Sequence, residues 1–568
     1  MYKAGLAKID MTYFEPNIGL FGFGLYEHRA QGIETPLYAR ALVIEDDSKN
    51  KTAIVVCEIA SIANSLKQEV LKRLKQKAIF DFTNENLLLS ASHTHSAAGG
   101  YFHYPFYNFS NGGFHQPVLD TYAESIANAI VKANSVLVDA TLTLHRGTFD
   151  NEKKVCFNRS LRAYNTNKDV SKVALGQEHL ATDREMVLLK VEDKNKKTLG
   201  CINWFGVHTT SCGNDHYKIC SDNKGYAASF HEEKYTSINP DFVSIFAQKP
   251  CGDITPLTQN LWIPNRAKKL KESDYIHAAQ NGKLQSEKAD ELLTSKAEII
   301  LNGPIDCILT HSDLSKVSIV DNVSNVKKQI TTDGALGLAF FRGTVDGIGI
   351  SSLLNGFLSL LTPIVSFFEH AKLRLTKNEK EKQRLVLKYQ LHTTKKILIE
   401  TTRKRILGIG SLRIIPAFTD KLIEQLVRHD KAGALDNYPL TPSILPLQIV
   451  NIGQLALIAL PAEITTIAGK RIKKTLQDIL KEKAIDQVII APYCNEYSGY
   501  ITTPEEHQAQ CYEGGHTLFG KKTLTAYISE MSMLSHELLK EKNNRTISSL
   551  QPLEFPEEVL NKRLYVAN

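Results

Sequence analysis

The nine cysteines are scattered along 568 residues without one CxxC pair. An odd, unpaired set excludes a disulfide framework and a cysteine-held zinc site, and reads as buried free thiols in a reducing compartment. The N-terminal stretch MYKAGLAKIDMTYFEP lacks an apolar h-region, because Asp10 falls where one would run. No signal peptide is therefore expected, and the sequence points to a cytoplasmic or peripheral membrane location unless a non-classical route exports the chain. Internal repeats and low-complexity tracts are also missing. The basic segment lacks interleaved aromatics, Tyr389 being the only one between 371 and 406, so nucleic-acid binding is not expected.

What is present is ordinary for a globular chain: 43% hydrophobic and 23% charged residues, enough to build two or three domains or one large core with insertions. The net charge of +7 is unevenly placed. Residues 371–406 hold twelve Lys/Arg against three Glu, a local +9 that leaves the remainder at −2. Strand-like runs ARALVIED and KTAIVVCEIAS flank a polar turn. SLKQEVLKRLKQKA and VLDTYAESIANAIVKANSVL carry helical periodicity. EMVLLKVED and TLGCINWFGVH read as a hairpin around KNKK, and ILPLQIVNIGQLALIALPAEI as two strands around NIGQ. The mixture predicts an α/β fold with antiparallel pairs rather than a simple doubly wound sheet.

Residues 347–368 carry no charge and are long enough to span a bilayer, but three glycines and Pro363 interrupt them. A buried or membrane-surface helical element is expected, and the basic helix beyond it fits contact with anionic lipid. The alternative is a solvated helical hairpin covering its own apolar face. The expected organisation is one catalytic domain from 1–349 and 407–545, an apolar and basic helical insert at 350–406, and a tail at 546–568.

The chemistry starts at NLLLSASHTHSAAGG (86–100), where an apolar run ends in His93 and His95. A strand end is where α/β enzymes gather reactive groups, and i, i+2 spacing points both rings the same way, toward a metal or a reacting atom. Alone the tripeptide is a weak signal. Six further segments follow in order: FNRSLRAY, INWFGVHTTS, CSDNKGYAA, FAQKPCGDITP, LPAEITTIAGKR and YSGYITTPEEHQAQCYEGGHTLFG.

Together these resemble the catalytic domain of the neutral (non-lysosomal) ceramidase family, from about Ala4 to about Leu539. The resemblance implies a large α/β domain with two β-sheets flanked by helices. It also implies a zinc amidase cleaving ceramide to sphingosine and a fatty acid. By the match of motifs, His93, His208, Glu463 and Tyr500 would hold Zn2+. His95, Arg159, Thr255 and Tyr512 would position substrate and handle protons.

Several features depart from the family pattern. The family usually has Gly where this chain has Ala462, and a serine in the GD-x-S-P segment where GDITP places Thr255. About 30 residues follow Leu539, so no C-terminal immunoglobulin-like sandwich is expected. The 350–406 insert is a candidate for peripheral membrane contact. The expected partner is ceramide or another N-acyl lipid. An amidase acting on a different N-acyl lipid or acylated amino acid is the nearest alternative. A non-catalytic membrane-binding member is the other.

Overall fold

The computed structural model describes residues 2–257, 273–320, 325–347, 373–406 and 421–565, with a few positions between 349 and 371 and at 410–411. Two sheets lie at its centre. The larger runs in the order Val243–Gln248, Thr198–Phe205, Glu185–Asp193, Val138–Thr148, Tyr2–Asp10, Tyr38–Asp46, Lys51–Cys57, Leu87–Ala91, with Ile299–Ile300 added beside Val138–Thr148. Its inner pairs are antiparallel, while the pair at each edge is parallel. The smaller sheet runs Ile305–Asp313, Ile444–Ile452, Leu455–Ala459, Gln487–Ala491.

Strict alternation sorts the strand residues into layers. Leu42, Ile44, Ile54, Val56 and Leu88 meet Val450, Ile452, Leu455, Leu457 and Ile489 in one core between the sheets. Their neighbours Ala41, Val43, Ala53, Val55, Leu87 and Leu89 point the other way, into a core shared with helices Asn64–Gln76, Gln116–Ser135, Asp222–Tyr235 and Ser273–Thr294. On the far side Leu447, Ile449, Ile458 and Ile490 pack under helices Thr466–Leu480 and Thr523–Leu539. The result is four layers, helix–sheet–sheet–helix. Strands buried on both faces are apolar at most positions, with paired exceptions such as Arg40 and Gln448, and so these read as largely hydrophobic runs. The expected two sheets flanked by helices are thus present.

The segment expected as a helical insert has a mixed structure. Helix Glu379–His392 is followed by strand Ile397–Glu400, which pairs with Ala335–Gly337 and with Arg405–Ile406. Several of its basic residues are not solvated. Lys388 forms a buried ion pair with Glu400, and Lys395 donates to the carbonyls of Ala335 (3.1 Å) and Thr517 (2.6 Å). Burial outweighs helical periodicity here because the strand closes a small sheet against the body. Most of 347–368 lies outside the described residues. No helix among the described residues is long and apolar enough to cross a membrane.

The expected tail is docked. Arg563 is buried and donates to the carbonyls of Ala434 (2.8 Å) and His103 (2.6 Å), with Phe555 stacked on its guanidinium.

Candidate metal centre

Both sheets deliver their strand ends to one place. The larger sheet curls until its two edges meet: Gln248 donates to Ser92 O (2.8 Å) and Val207 O (2.7 Å), and Thr209 Oγ1 donates to Ser92 O (2.6 Å). This brings the loop after Leu87–Ala91, carrying His93 and His95, against the loop after Thr198–Phe205, carrying His208. The smaller sheet adds the loops after Leu455–Ala459 and Gln487–Ala491, whose extensions Glu463–Ile464 and Tyr500–Ile501 pair in parallel with Glu463 opposite Tyr500. Gly499 links them, its carbonyl accepting from Glu463 N at 2.8 Å.

Three imidazoles converge with a carboxylate. His93 Nε2 lies 3.2 Å from His208 Nε2 and 3.1 Å from His95 Nε2. Glu463 Oε2 stands 3.4 Å from His93 Nε2 and 3.2 Å from His208 Nε2. The convergence does not arise from strand register, as the i, i+2 spacing suggested. The strand stops at Ala91, and His93 takes a left-handed backbone (φ 74°), a conformation costly for a residue with a Cβ and frequent at functional sites. The two rings therefore meet at 88° rather than side by side.

The second ring nitrogens identify which rings are fixed. His93 Nδ1 is bonded to Ala60 O, and His208 Nδ1 to Cys251 O at 2.9 Å. A carbonyl only accepts, so each Nδ1 carries the hydrogen and each Nε2 presents a lone pair. Two lone pairs facing at 3.2 Å beside a carboxylate repel unless a cation sits between them. Nitrogen and carboxylate donors of this kind, anchored through the distal nitrogen, suit zinc. His95 differs: its Nδ1 is buried with no hydrogen-bond partner among the described residues, and its ring is held only through Nε2 and by Phe23. Burial holds the His95 imidazole well below its usual range, and positive charge at the neighbouring pair would add to this. Burial acts against the Glu463 carboxylate, and only positive charge at His93 and His208, as a proton or as a cation held by their Nε2 atoms, keeps it well below the usual carboxylate range.

Arg159 organises the opposite wall. Residues Phe157–Asn158 pair with Ile254–Thr255, setting Arg159 and Thr255 side by side. The guanidinium donates to Asp346 Oδ2 (2.7 Å), Glu513 Oε1 (3.0 Å), Gly252 O (2.8 Å) and Tyr500 Oη (3.0 Å), and lies over the Tyr512 ring. Burial pushes the Tyr500 phenol up, and Glu463 adds to this, while Arg159 opposes both. A cation at the imidazoles would act in the same direction as Arg159. Thr255 is fully buried, and its hydroxyl donates to Asp346 Oδ1 at 2.5 Å.

All eight residues singled out in the sequence thus lie in one connected cluster. Sequence reasoning missed Asp346, Glu513, Tyr493 and Tyr497. Asp346 receives bonds from Arg159, Thr255 and Thr210, and Glu513 from Arg159 and Ser160. Tyr493 stacks on His93 and donates to Glu463 Oε2 (3.3 Å), while Tyr497 donates to Oε1 (2.5 Å). The signal available was adjacency: Glu513 follows Tyr512, and Tyr497 lies three residues before Tyr500. Asp346 offered none beyond an isolated acid in an apolar stretch.

The model of the neutral/alkaline non-lysosomal ceramidase N-terminal domain matches residues 2–420 and 426–529. The chain is 31% identical over 531 residues to a neutral ceramidase of Pseudomonas aeruginosa, covering 93% of this chain and 70% of that protein. Neutral ceramidase A of Dictyostelium discoideum is 29% identical, with 95% and 73% covered. Among solved structures, neutral ceramidase from Pseudomonas aeruginosa superposes with a TM-score of 0.76 at 27% identity, over 100% of this chain and 78% of that one. A ceramidase complexed with C2 superposes at 0.77 and 29% identity, over 98% and 78%.

Proposed function

The chain belongs to the neutral/alkaline non-lysosomal ceramidase family, and from that premise we propose that it hydrolyses the N-acyl amide bond of ceramide with the help of zinc. The observation that carries the zinc part is the pair of facing lone pairs on His93 and His208 beside Glu463. Tyr500, opposite Glu463 in the paired strands, is the fourth candidate ligand. When bound, zinc supplies Lewis acidity toward water and toward an amide carbonyl.

The remaining steps belong to side chains. His95, whose Nδ1 has no partner among the described residues, takes a proton from the attacking water and returns it to the departing amine. Water oxygen joins the acyl carbon, the C–N bond breaks, and the amine leaves with the proton. Arg159 keeps Tyr500 oriented and partly offsets the burial that raises its phenol, and Asp346 and Glu513 fix Arg159. Thr255, through Asp346, belongs to the same scaffold. Tyr512 caps Arg159 and packs against Phe340.

The test is hydrolysis of a fluorescent ceramide and of simpler N-acyl amides by the purified chain, with and without zinc chelation, beside His93→Ala. Chelator-sensitive ceramide turnover lost in the variant is the expected result. Turnover confined to other amides would keep the mechanism and replace the substrate. Ceramide turnover indifferent to chelation and to His93→Ala would overturn the zinc reading.

A further inference from the structure

Apart from the centre just described, one group of side chains among the described residues has the chemistry of a metal site: Asp215, His216 and Asp274. Asp215 and His216 lie in the loop between His208 and helix Asp222–Tyr235, and Asp274 opens helix Ser273–Thr294. One ligand atom from each falls within 4.8 Å of the others. His216 is 4% exposed, and its Nε2 stands 3.1 Å from Asp274 Oδ2. At that distance the pair is nevertheless not aligned as a hydrogen bond, and Nε2 has no hydrogen-bond partner among the described residues. A buried imidazole nitrogen without a hydrogen-bond partner, within 4.8 Å of oxygens from two carboxylates, is an arrangement suited to a shared cation.

Two further features support the cradle. Asp274 Oδ2 accepts from Gly213 N at 3.0 Å, which fixes the carboxylate in place. A Cβ on Gly213 would stand 3.0 Å from Asp215 Oδ1 and 3.3 Å from Asp274 Oδ2, so the glycine keeps open the space on which both acids converge.

We propose that Asp215, His216 and Asp274 form a second metal site, for a divalent first-row transition ion of the zinc class. One imidazole and two carboxylates are borderline donors, which suit zinc better than calcium or magnesium and lack the thiolates of a soft site. The ion would clamp the start of helix Ser273–Thr294 to the loop beside the first centre. That loop is already tied to the HTH segment: Thr94 Oγ1 donates to Cys220 O (2.7 Å), and Cys220 N to Ser96 O (3.0 Å). The site also connects inward. His216 O is held by His28 Nε2 at 2.9 Å, His28 packs on Phe23, and Phe23 packs edge-on against His95.

The experiment counts Zn2+ on the full chain after chelation and reloading, by mass spectrometry and equilibrium dialysis. Wild type should hold one tight equivalent more than His216→Gln, in which the dissociation constant for that equivalent rises by about tenfold or more. Asp215→Asn, at a half-buried position where misfolding is a smaller risk, should weaken the same equivalent. Crystals grown with Zn2+ should show anomalous density about 2.1 Å from His216 Nε2. The difference of one equivalent is read whether or not the first centre binds zinc, so failure of either reading is distinguishable. Wild-type stoichiometry and affinity retained in both variants, or crystals without density at His216, would show an ordinary His–Asp ion pair and overturn the proposal.

Discussion

At the residue scale, Asp346 is the point through which Thr255 and Arg159 act. Replacing the family's usual serine by threonine keeps both bonds the structure assigns to that hydroxyl, donated to Asp346 and accepted from Leu257 N. Thr255→Ser should therefore leave kcat within about threefold. Thr255→Val removes a donor from a buried carboxylate, a loss of roughly 1.5–3 kcal/mol that should lower kcat by about tenfold or more. Equal rates for Val and Thr would remove the hydroxyl from the mechanism. Arg159→Lys is not conservative, because a single ammonium cannot span Asp346, Glu513 and Tyr500. One buried acid is left unpaired, which costs about 3–5 kcal/mol. The denaturation midpoint and kcat should both fall while zinc content stays at the wild-type level, since Arg159 is not a ligand. Loss of zinc in Arg159→Lys would place the residue in the metal site instead. His93 and His95 were legible as a pair because nearby apolar residues marked a strand end. Their partners in other loops were legible only through the resemblance: a lone Glu or Tyr beside a strand carries no pattern of its own, and Asp346 is recognisable only once Arg159 is seen pointing at it.

At the element scale, the centre depends on two very short strands, Glu463–Ile464 and Tyr500–Ile501, that no periodicity in the sequence announces. They hold together because Gly499 adopts φ 73° and offers its carbonyl to Glu463 N. A Cβ there would meet His516 O at 2.6 Å. Gly499→Ala pays for the left-handed backbone and for the clash, and shifts Glu463 and Tyr500 together. Zinc affinity, measured by chelator competition, should fall by about 10- to 100-fold. An unchanged affinity would show that the strand pair does not position the ligands. The long elements were read correctly because period and length agree in them. The 350–406 segment, expected as a helical insert, contains strand Ile397–Glu400 because that strand closes a small sheet directly after a helix and two lysines, a position where charge favours a helical reading. Charge suggested solvent, whereas Lys388 and Lys395 are satisfied internally by Glu400 and by backbone carbonyls.

At the scale of the whole molecule, four layers bury large polar groups along with the cores, and this makes stability depend on pH. The layers themselves were legible, since alternation across continuous apolar strands demands cover on both faces. The enclosed histidines were not, because a single His in an apolar segment shows nothing of its surroundings. Burial lowers His28, His103 and His231 to about 4 each from the usual 6.5. The folded chain keeps these rings neutral, whereas the unfolded chain protonates them below about pH 6.5. The unfolded state thus binds more protons at these rings on the acid side, so their contribution to folding stability is complete above about pH 7 and drains away as pH falls from 6.5 toward 4. Each ring contributes at most about 1.4 kcal/mol per pH unit in that window. Urea midpoints taken at half-unit steps from pH 7.5 to 5 should decline with a steepening slope. His231→Gln, which keeps a polar side chain near Ser244 while removing the titration, should lower the proton uptake on unfolding by about one. Midpoints constant down to pH 5 would mean that these rings are already protonated in the fold, and that the enclosing layers admit more water than their packing implies.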